Sequence, residues 1–248
     1  MTSPAIAQAN DKFHDLQQKI DDFFNKVNDV VSWVPGFLSD LIKPIEDGLN
    51  ALRRKVKEFW DRVNQLIDQP GSPTRLHQVA EDWVNKVGNA IGDIAGKISL
   101  DKLQTNLDWE GRGAEAYKAT VPAQVSGLNS VKDLANQLRS SLDNLGNGIE
   151  TFWIAMGVAA GVFVVGAVGA IAAACTVVGI PAAIAVIATA AGVSIGLMTT
   201  AIVSLQSLSN TISTEQATIS QKVHDLGEQW AKSNIGAMQA KSDWHVMQ

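Results

Sequence analysis

Between Thr151 and Thr214 the chain carries no Asp, Glu, Lys, Arg or His, a run of 64 residues in a protein that is 18% charged overall. A stretch that long without an ionisable group is not an ordinary solvated segment; it points to an apolar environment. Cysteine is nearly missing as well. Cys175 is the single one, so no internal disulfide can form. It lies among Ala and Val with no cation close in sequence, which reads as a small buried thiol, not a reactive one. Excess positive charge is also lacking: the formal net charge is −5 and the pI near 5.3. That argues against non-specific nucleic-acid binding, which needs a basic face to displace counterions from phosphates. The first residues, MTSPAIAQANDKFHD, lack a basic start followed by an apolar run. No conventional secretory signal is expected, and export would use another route.

Catalytic signatures are absent too. The four histidines, His14, His77, His224 and His245, fall in different segments. His77 with Glu81, and His224 with Glu228, share helix faces four residues apart, but two groups without further ligands read as solvated surface, not as a metal site. Asp21 and Asp22 are adjacent, so they point from two helix faces and read the same way. There is no HExxH, CxxC, phosphate-binding loop or nucleophile elbow. The expectation is a non-enzyme with no cofactor, no metal and no small-molecule substrate. Strand patterning is poor as well, because Gly and Ala interrupt the Val and Ile of 158–203.

What is present is helix. The uncharged run divides into Trp153–Val178 and Ala182–Leu205, of 26 and 24 residues, around Gly179-Ile180-Pro181. Pro181 lacks an N–H and Gly179 tolerates a helix end, so a tight helical turn is predicted there. At about 1.5 Å per residue each arm exceeds the roughly 30 Å of a bilayer's hydrocarbon. Within 153–205 there are fifteen Ala and seven Gly but two Leu. Small residues allow close helix approach, as in Gly157-x-x-x-Gly161 and Gly192-x-x-x-Gly196, but they make transfer into lipid less favourable than Leu would. Trp153, at the edge of the first arm, suits either a headgroup anchor or a core plug. This composition fits a hairpin that packs inside a bundle or enters a membrane according to conditions.

The flanks read as amphipathic helices. Phe13, Leu16, Ile20, Phe23, Val27, Val30 and Val34 alternate in spacings of 3 and 4, an apolar stripe in coiled-coil register. Pro35-Gly36 ends it. Ile45, Leu49, Leu52, Val56, Phe59, Val63 and Leu66 form a second stripe, and residues 5–67 suggest a helical hairpin. After a linker at Gln69–Pro73, Leu76, Val79, Trp83, Val87, Ile91, Ile94 and Ile98 form a third stripe, with bends expected near Gly88, Gly92 and Gly96. A fourth helix is expected from near Ala114, kinked at Pro122 and loosened at Gly146 and Gly148 before the apolar arms. Helix resumes over 206–232, and 233–248 reads as a tail.

At the break between the third and fourth helices stands Trp109-Glu110-Gly111-Arg112-Gly113-Ala114-Glu115-Ala116-Tyr117. Gly111 permits a sharp reversal and Trp109 supplies an apolar plug between two helices. A Trp-x-Gly turn followed by small residues and an aromatic eight positions on resembles the WXG family, substrates of type VII (ESX) secretion. The resemblance covers about 72–150. It implies a helix-turn-helix hairpin, export by that system and a WXG-type helical partner. Tyr117 is the only Tyr, and Val121 stands where the family's Tyr-x-x-x-Asp/Glu signal has its acid, so an export signal would lie on a partner or take another form.

The sequence therefore predicts an all-α protein: an elongated multi-helix bundle of long amphipathic helices around a central apolar αα-hairpin. Its segments are 5–67, 72–150, 151–205, 206–232 and 233–248. The expected function is that of a secreted or cell-surface, membrane-associated protein whose hairpin contacts or enters lipid, with pore formation through self-association as one form. The alternatives are a non-catalytic export or binding scaffold with the hairpin buried, and a two-span integral membrane protein.

Overall fold

A computed structural model describes residues 3–33, 39–67, 70–103 and 110–229, with side chains throughout except at 39–41 and 227–229. Val34, Pro35-Gly36, Trp109, Trp230 and the 233–248 tail lie outside the described residues. The described chain is helical and contains no strand. The helices are α1 (Pro4–Ser32), α2 (Ser39–Ile67), α3 (Pro73–Asp82), α4 (Asn89–Lys97), α5 (Arg112–Ala173) and α6 (Ile180–Gln229). A π-helical turn, Trp83–Gly88, joins α3 to α4, and a 3-10 turn, Val177–Gly179, leads into α6.

The chain divides into two compact units, each assembled from separated segments: Met1–Thr74 with Leu145–Ser209, and Arg75–Asn144 with Asn210–Gln248. The boundaries pass through the middle of α5 and α6. The five consecutive segments read from sequence thus regroup: 5–67 packs with 151–205, while most of 72–150, residues 75–144, shares a unit with the later part of α6.

In the first unit, α1 and α2 bury the two stripes foreseen from spacing. Phe13, Leu16, Ile20, Phe23 and Val27 are buried on α1, and Ile45, Leu49, Leu52, Val56, Phe59 and Val63 on α2. They share one core with Trp153, Met156, Phe163, Ile187 and Met198 of the apolar arms. The inner faces interlock through aromatic edges: Phe59 meets Phe163 at 5.2 Å between centroids and Phe13 at 6.3 Å. Pro44 is the sixth residue of α2, inside the helix, where it costs one intrahelical N–H bond.

The second unit is held differently. His77 of α3 faces Asp143, and the space at Gly88 and Gly92 is closed by Ala135 and Lys132 of α5. Rising numbers on one side meet falling numbers on the other, so the α3–α4 segment runs antiparallel to α5. The predicted third stripe is covered only in part: Leu76, Val79, Val87, Ile91 and Ile98 are half-buried. Trp83 and Ile94 are exposed, and Ala80, Gly88 and Ala95 are buried instead. The π-helical turn winds wider than 3.6 residues per turn and shifts the register of the helix beyond it.

Two expected breaks are absent or displaced. α5 runs unbroken past Gly146 and Gly148 from Arg112 to Ala173. Gly148 is instead a packing position, its bare Cα accommodating the Leu208 side chain. The turn between the arms also comes earlier than Gly179–Pro181. The first arm ends at Ala173, and Cys175 and Thr176 form the loop. Pro181 belongs to the first turn of α6, where a missing N–H is harmless. Cys175 is exposed at this tip, contrary to the buried setting expected from its neighbours.

Candidate membrane-contact hairpin

The tip is built around Thr176. Its backbone is extended (φ −137°, ψ 153°), which ends the first arm. The Gly179 N–H donates to Thr176 Oγ1 at 3.1 Å and lies 3.0 Å from the Thr176 carbonyl, to which the Ile180 N–H donates at 3.2 Å. The first donors of the returning helix are thereby satisfied within the turn. No charged side chain belongs to this turn, and Val178 is 90% exposed.

The glycines of the two GxxxG motifs are not the points of close approach between the arms. A Cβ added at Gly166 would land inside 3.0 Å of Ala190 Cβ, the tightest approach to the opposite arm at any glycine of the arms. A Cβ at Gly157 would meet Ala9 of α1, its Cα at 3.6 Å and its Cβ at 3.8 Å. Gly161, Gly192 and Gly196 have no such neighbour within 4 Å. Gly179 is enclosed by the turn itself, against the Ala173 carbonyl. Trp153 is a core plug with a tether: it is buried, and its Nε1–H donates to the Pro70 carbonyl at 2.8 Å.

The arms have two contrasting faces. The inner one is buried against α1 and α2. The outer one is apolar and open: Ile154, Val158, Val165 and Val168 on α5, and Val186, Val193, Leu197 and Val203 on α6, are all exposed. Of the most apolar 18-residue window in each helix, 33% and 39% is buried. Both helices are long and apolar enough to cross a membrane. The arm from Trp153 to Ala173 is about 31 Å long and that from Ile180 to Leu205 about 39 Å, against roughly 30 Å of hydrocarbon.

The hydroxyls within the arms bond inward. Thr189, Thr199 and Thr200 donate to the carbonyls of Ala185, Ile195 and Gly196 on their own helix, and buried Ser194 donates across to the Ala159 carbonyl at 2.8 Å. These groups need no water. The outward faces of α1 and α2 are the opposite in character, with exposed Asp11, Lys12, Arg54, Lys55, Lys57 and Asp61.

The Trp-x-Gly region contributes a second feature. Gly111 has φ +105°, a backbone region that residues with a side chain rarely adopt, immediately before α5. Tyr117 is half-buried one and a half turns into that helix, and its carbonyl accepts from the Thr120 hydroxyl at 2.8 Å. Trp109 itself lies outside the described residues.

His77 is not the freely solvated group expected from its spacing to Glu81. Its Nδ1 lies 2.8 Å from Asp143 Oδ1, and Arg139 Nε is 3.5 Å from the other oxygen of that carboxylate. Ser141, also in α5, donates to the Glu215 carboxylate of α6, and Lys222 donates to Gln137 at 2.9 Å. These polar ties join helices of the second unit, and spacing along a single helix could not have revealed them. Among the described residues no three His, Cys, Asp or Glu side chains gather as a metal-binding set. Comparison of the chain with family models, with curated proteins and with solved structures returns no match.

Proposed function

We propose that this chain is a non-catalytic, membrane-active helical protein that places the hairpin of α5 and α6 in a lipid bilayer. The observation that carries the reading is the outer face of the arms: exposed, apolar and without an ionisable group. A water-facing bundle gains nothing from such a face, whereas lipid solvates it at no electrostatic cost. The arm lengths match the hydrocarbon, and the Thr176 turn carries its own hydrogen bonds into it. Self-association of inserted hairpins would make a pore, with Gly161, Gly192 and Gly196 offering close approach to a second copy.

We assign export to a type VII-like route, with a WXG-type helical partner. Support comes from the antiparallel pairing of α3–α4 with α5 and from the positive φ of Gly111 at the Trp-x-Gly position. The protein then acts at a membrane after leaving the cell.

The test is dye release from vesicles of phosphatidylcholine with phosphatidylglycerol, using the full chain and its Val165→Asp variant. Val165 is 73% exposed, so the substitution spares the folded bundle. At the middle of an inserted arm the new carboxylate costs about 3 kcal/mol. Release by the parent chain, with at least a tenfold loss in the variant at unchanged helicity, is expected. A parent chain that neither binds nor permeabilises vesicles over a range of pH overturns the proposal. In that case a hairpin that stays packed on α1 and α2, in a scaffold that docks other proteins, is the reading left.

A further inference from the structure

Resting on the membrane reading, we infer that the α1–α2 pair is a detachable sheath: it must leave the apolar arms as a unit before they can enter lipid. Three observations combine. First, α1 and α2 cover the inner face of both arms. Phe59 stacks edge-on against Phe163, Ala9 closes on Gly157, and Ile184 closes on Gly48. Arg62 Nη1 donates to Thr199 Oγ1 at 2.7 Å, tying a cation to the second arm. Second, the outward faces of α1 and α2 are charged along their length, with Arg54, Lys55, Lys57 and Asp61 exposed on α2 and Asp11 and Lys12 on α1. Carried into hydrocarbon with the arms, those groups would face lipid tails, and charges in the bilayer core are strongly disfavoured. The sheathed bundle and the inserted hairpin therefore exclude each other. Third, the sheath has its own internal contacts. Phe13 packs on both Phe59 and Trp60 at 6.3 Å, and the Arg53 guanidinium lies over Phe24 at 5.2 Å. Once free of the arms, the pair is two amphipathic helices with long apolar stripes, the form that lies in the headgroup plane.

The non-helical stretch at the end of the sheath is the natural pivot. Pro70, Gly71 and Ser72 separate α2 from α3, and Gly71 has φ +74°. Two contacts latch this stretch to α5: the Trp153 Nε1–H on the Pro70 carbonyl, and Ile149 against Gly71.

A disulfide across the sheath tests the inference. The Ala9 Cβ lies 3.8 Å from a Cβ built on Gly157, the usual spacing across a disulfide of about 3.8 Å. The experiment uses the full chain carrying Ala9→Cys, Gly157→Cys and Cys175→Ser, oxidised or reduced, on the same vesicles. Oxidised protein should release dye at least tenfold more slowly than the reduced form. In the opposite direction, Phe59→Ala should speed release several-fold in an otherwise native chain. Equal release by locked and reduced protein, with the crosslink confirmed by mass, overturns the sheath while leaving membrane activity intact. An inert parent chain overturns the membrane reading and the sheath with it.

Discussion

Replacing Gly166 by Ala and replacing Gly192 by Ala are the same chemical change in the two arms of one hairpin, yet their effects should have opposite sign. Helix propensity alone favours both, since a mid-helix Gly costs about 0.5–1 kcal/mol relative to Ala. At Gly192 nothing lies within 4 Å of the added methyl. The full gain survives, and the variant should be about 0.5–1 kcal/mol more stable. At Gly166 the methyl falls inside 3.0 Å of Ala190 Cβ and 3.6 Å from its Cα, with the Val186 carbonyl at 3.9 Å. Ala190 has no rotamer with which to withdraw, so the helix backbones must part until ordinary contact near 3.4 Å is restored. Overpacking of this kind costs about 1–3 kcal/mol. Less the propensity gain, Gly166→Ala comes out about 1 kcal/mol or more destabilised, and the two variants differ by about 2 kcal/mol. For a chain of this size that separates their melting temperatures by roughly 4–8 °C. Thermal unfolding followed by circular dichroism measures the difference, and hydrogen exchange of peptides from the two arms localises it. A Gly166→Ala protein as stable as Gly192→Ala would refute the close approach of the arms at Ala190, and with it the reasoning about which glycines are structural.

Other substitutions address single contacts. Ser194→Ala removes the buried hydroxyl that donates to the Ala159 carbonyl and should lower stability by about 1 kcal/mol in urea unfolding. Trp153→Phe keeps most of the apolar plug but leaves the Pro70 carbonyl without its donor; a loss of about 1–2 kcal/mol is expected, with faster exchange at residues 70–74. Gly111→Ala forces a side chain into φ +105° and should cost about 1–2 kcal/mol, seen as fraying of the first turn of α5 in hydrogen exchange. His77→Ala removes one partner of a half-exposed carboxylate that Arg139 also approaches, so thermal unfolding should shift by less than about 1 kcal/mol.

The uncharged run is the clearest case of a feature legible without coordinates. Absence of ionisable groups over that length leaves few physical settings, and both arms are helices. The α1 and α2 stripes are equally legible, because their 3-4 spacing is continuous and the positions from Phe13 to Val27 and from Ile45 to Val63 that the period marks are buried. The third stripe is legible only in part: five of its seven positions are half-buried, while the fully buried positions are the small residues Ala80, Gly88 and Ala95 beside it, which a search for large apolar side chains passes over. The turn between the arms lies earlier than Pro181 suggests, because a proline marks a helix start as readily as a helix end; the side chain that ends the first arm is Thr176. Of the glycines in the two GxxxG motifs, Gly157 has a close neighbour, and it belongs to α1 and not to the other arm.

The sequence by itself determined that the protein is helical, where its long apolar stripes lie, and that one hairpin is free of charge, because periodicity and charge act locally along the chain. The tertiary structure decided which segments share a core, which face of the hairpin is covered, and that Gly166, not Gly161 or Gly192, is the glycine at which the arms close on each other. Those outcomes depend on which helix lies opposite, a relation between residues far apart in the chain that no local pattern encodes.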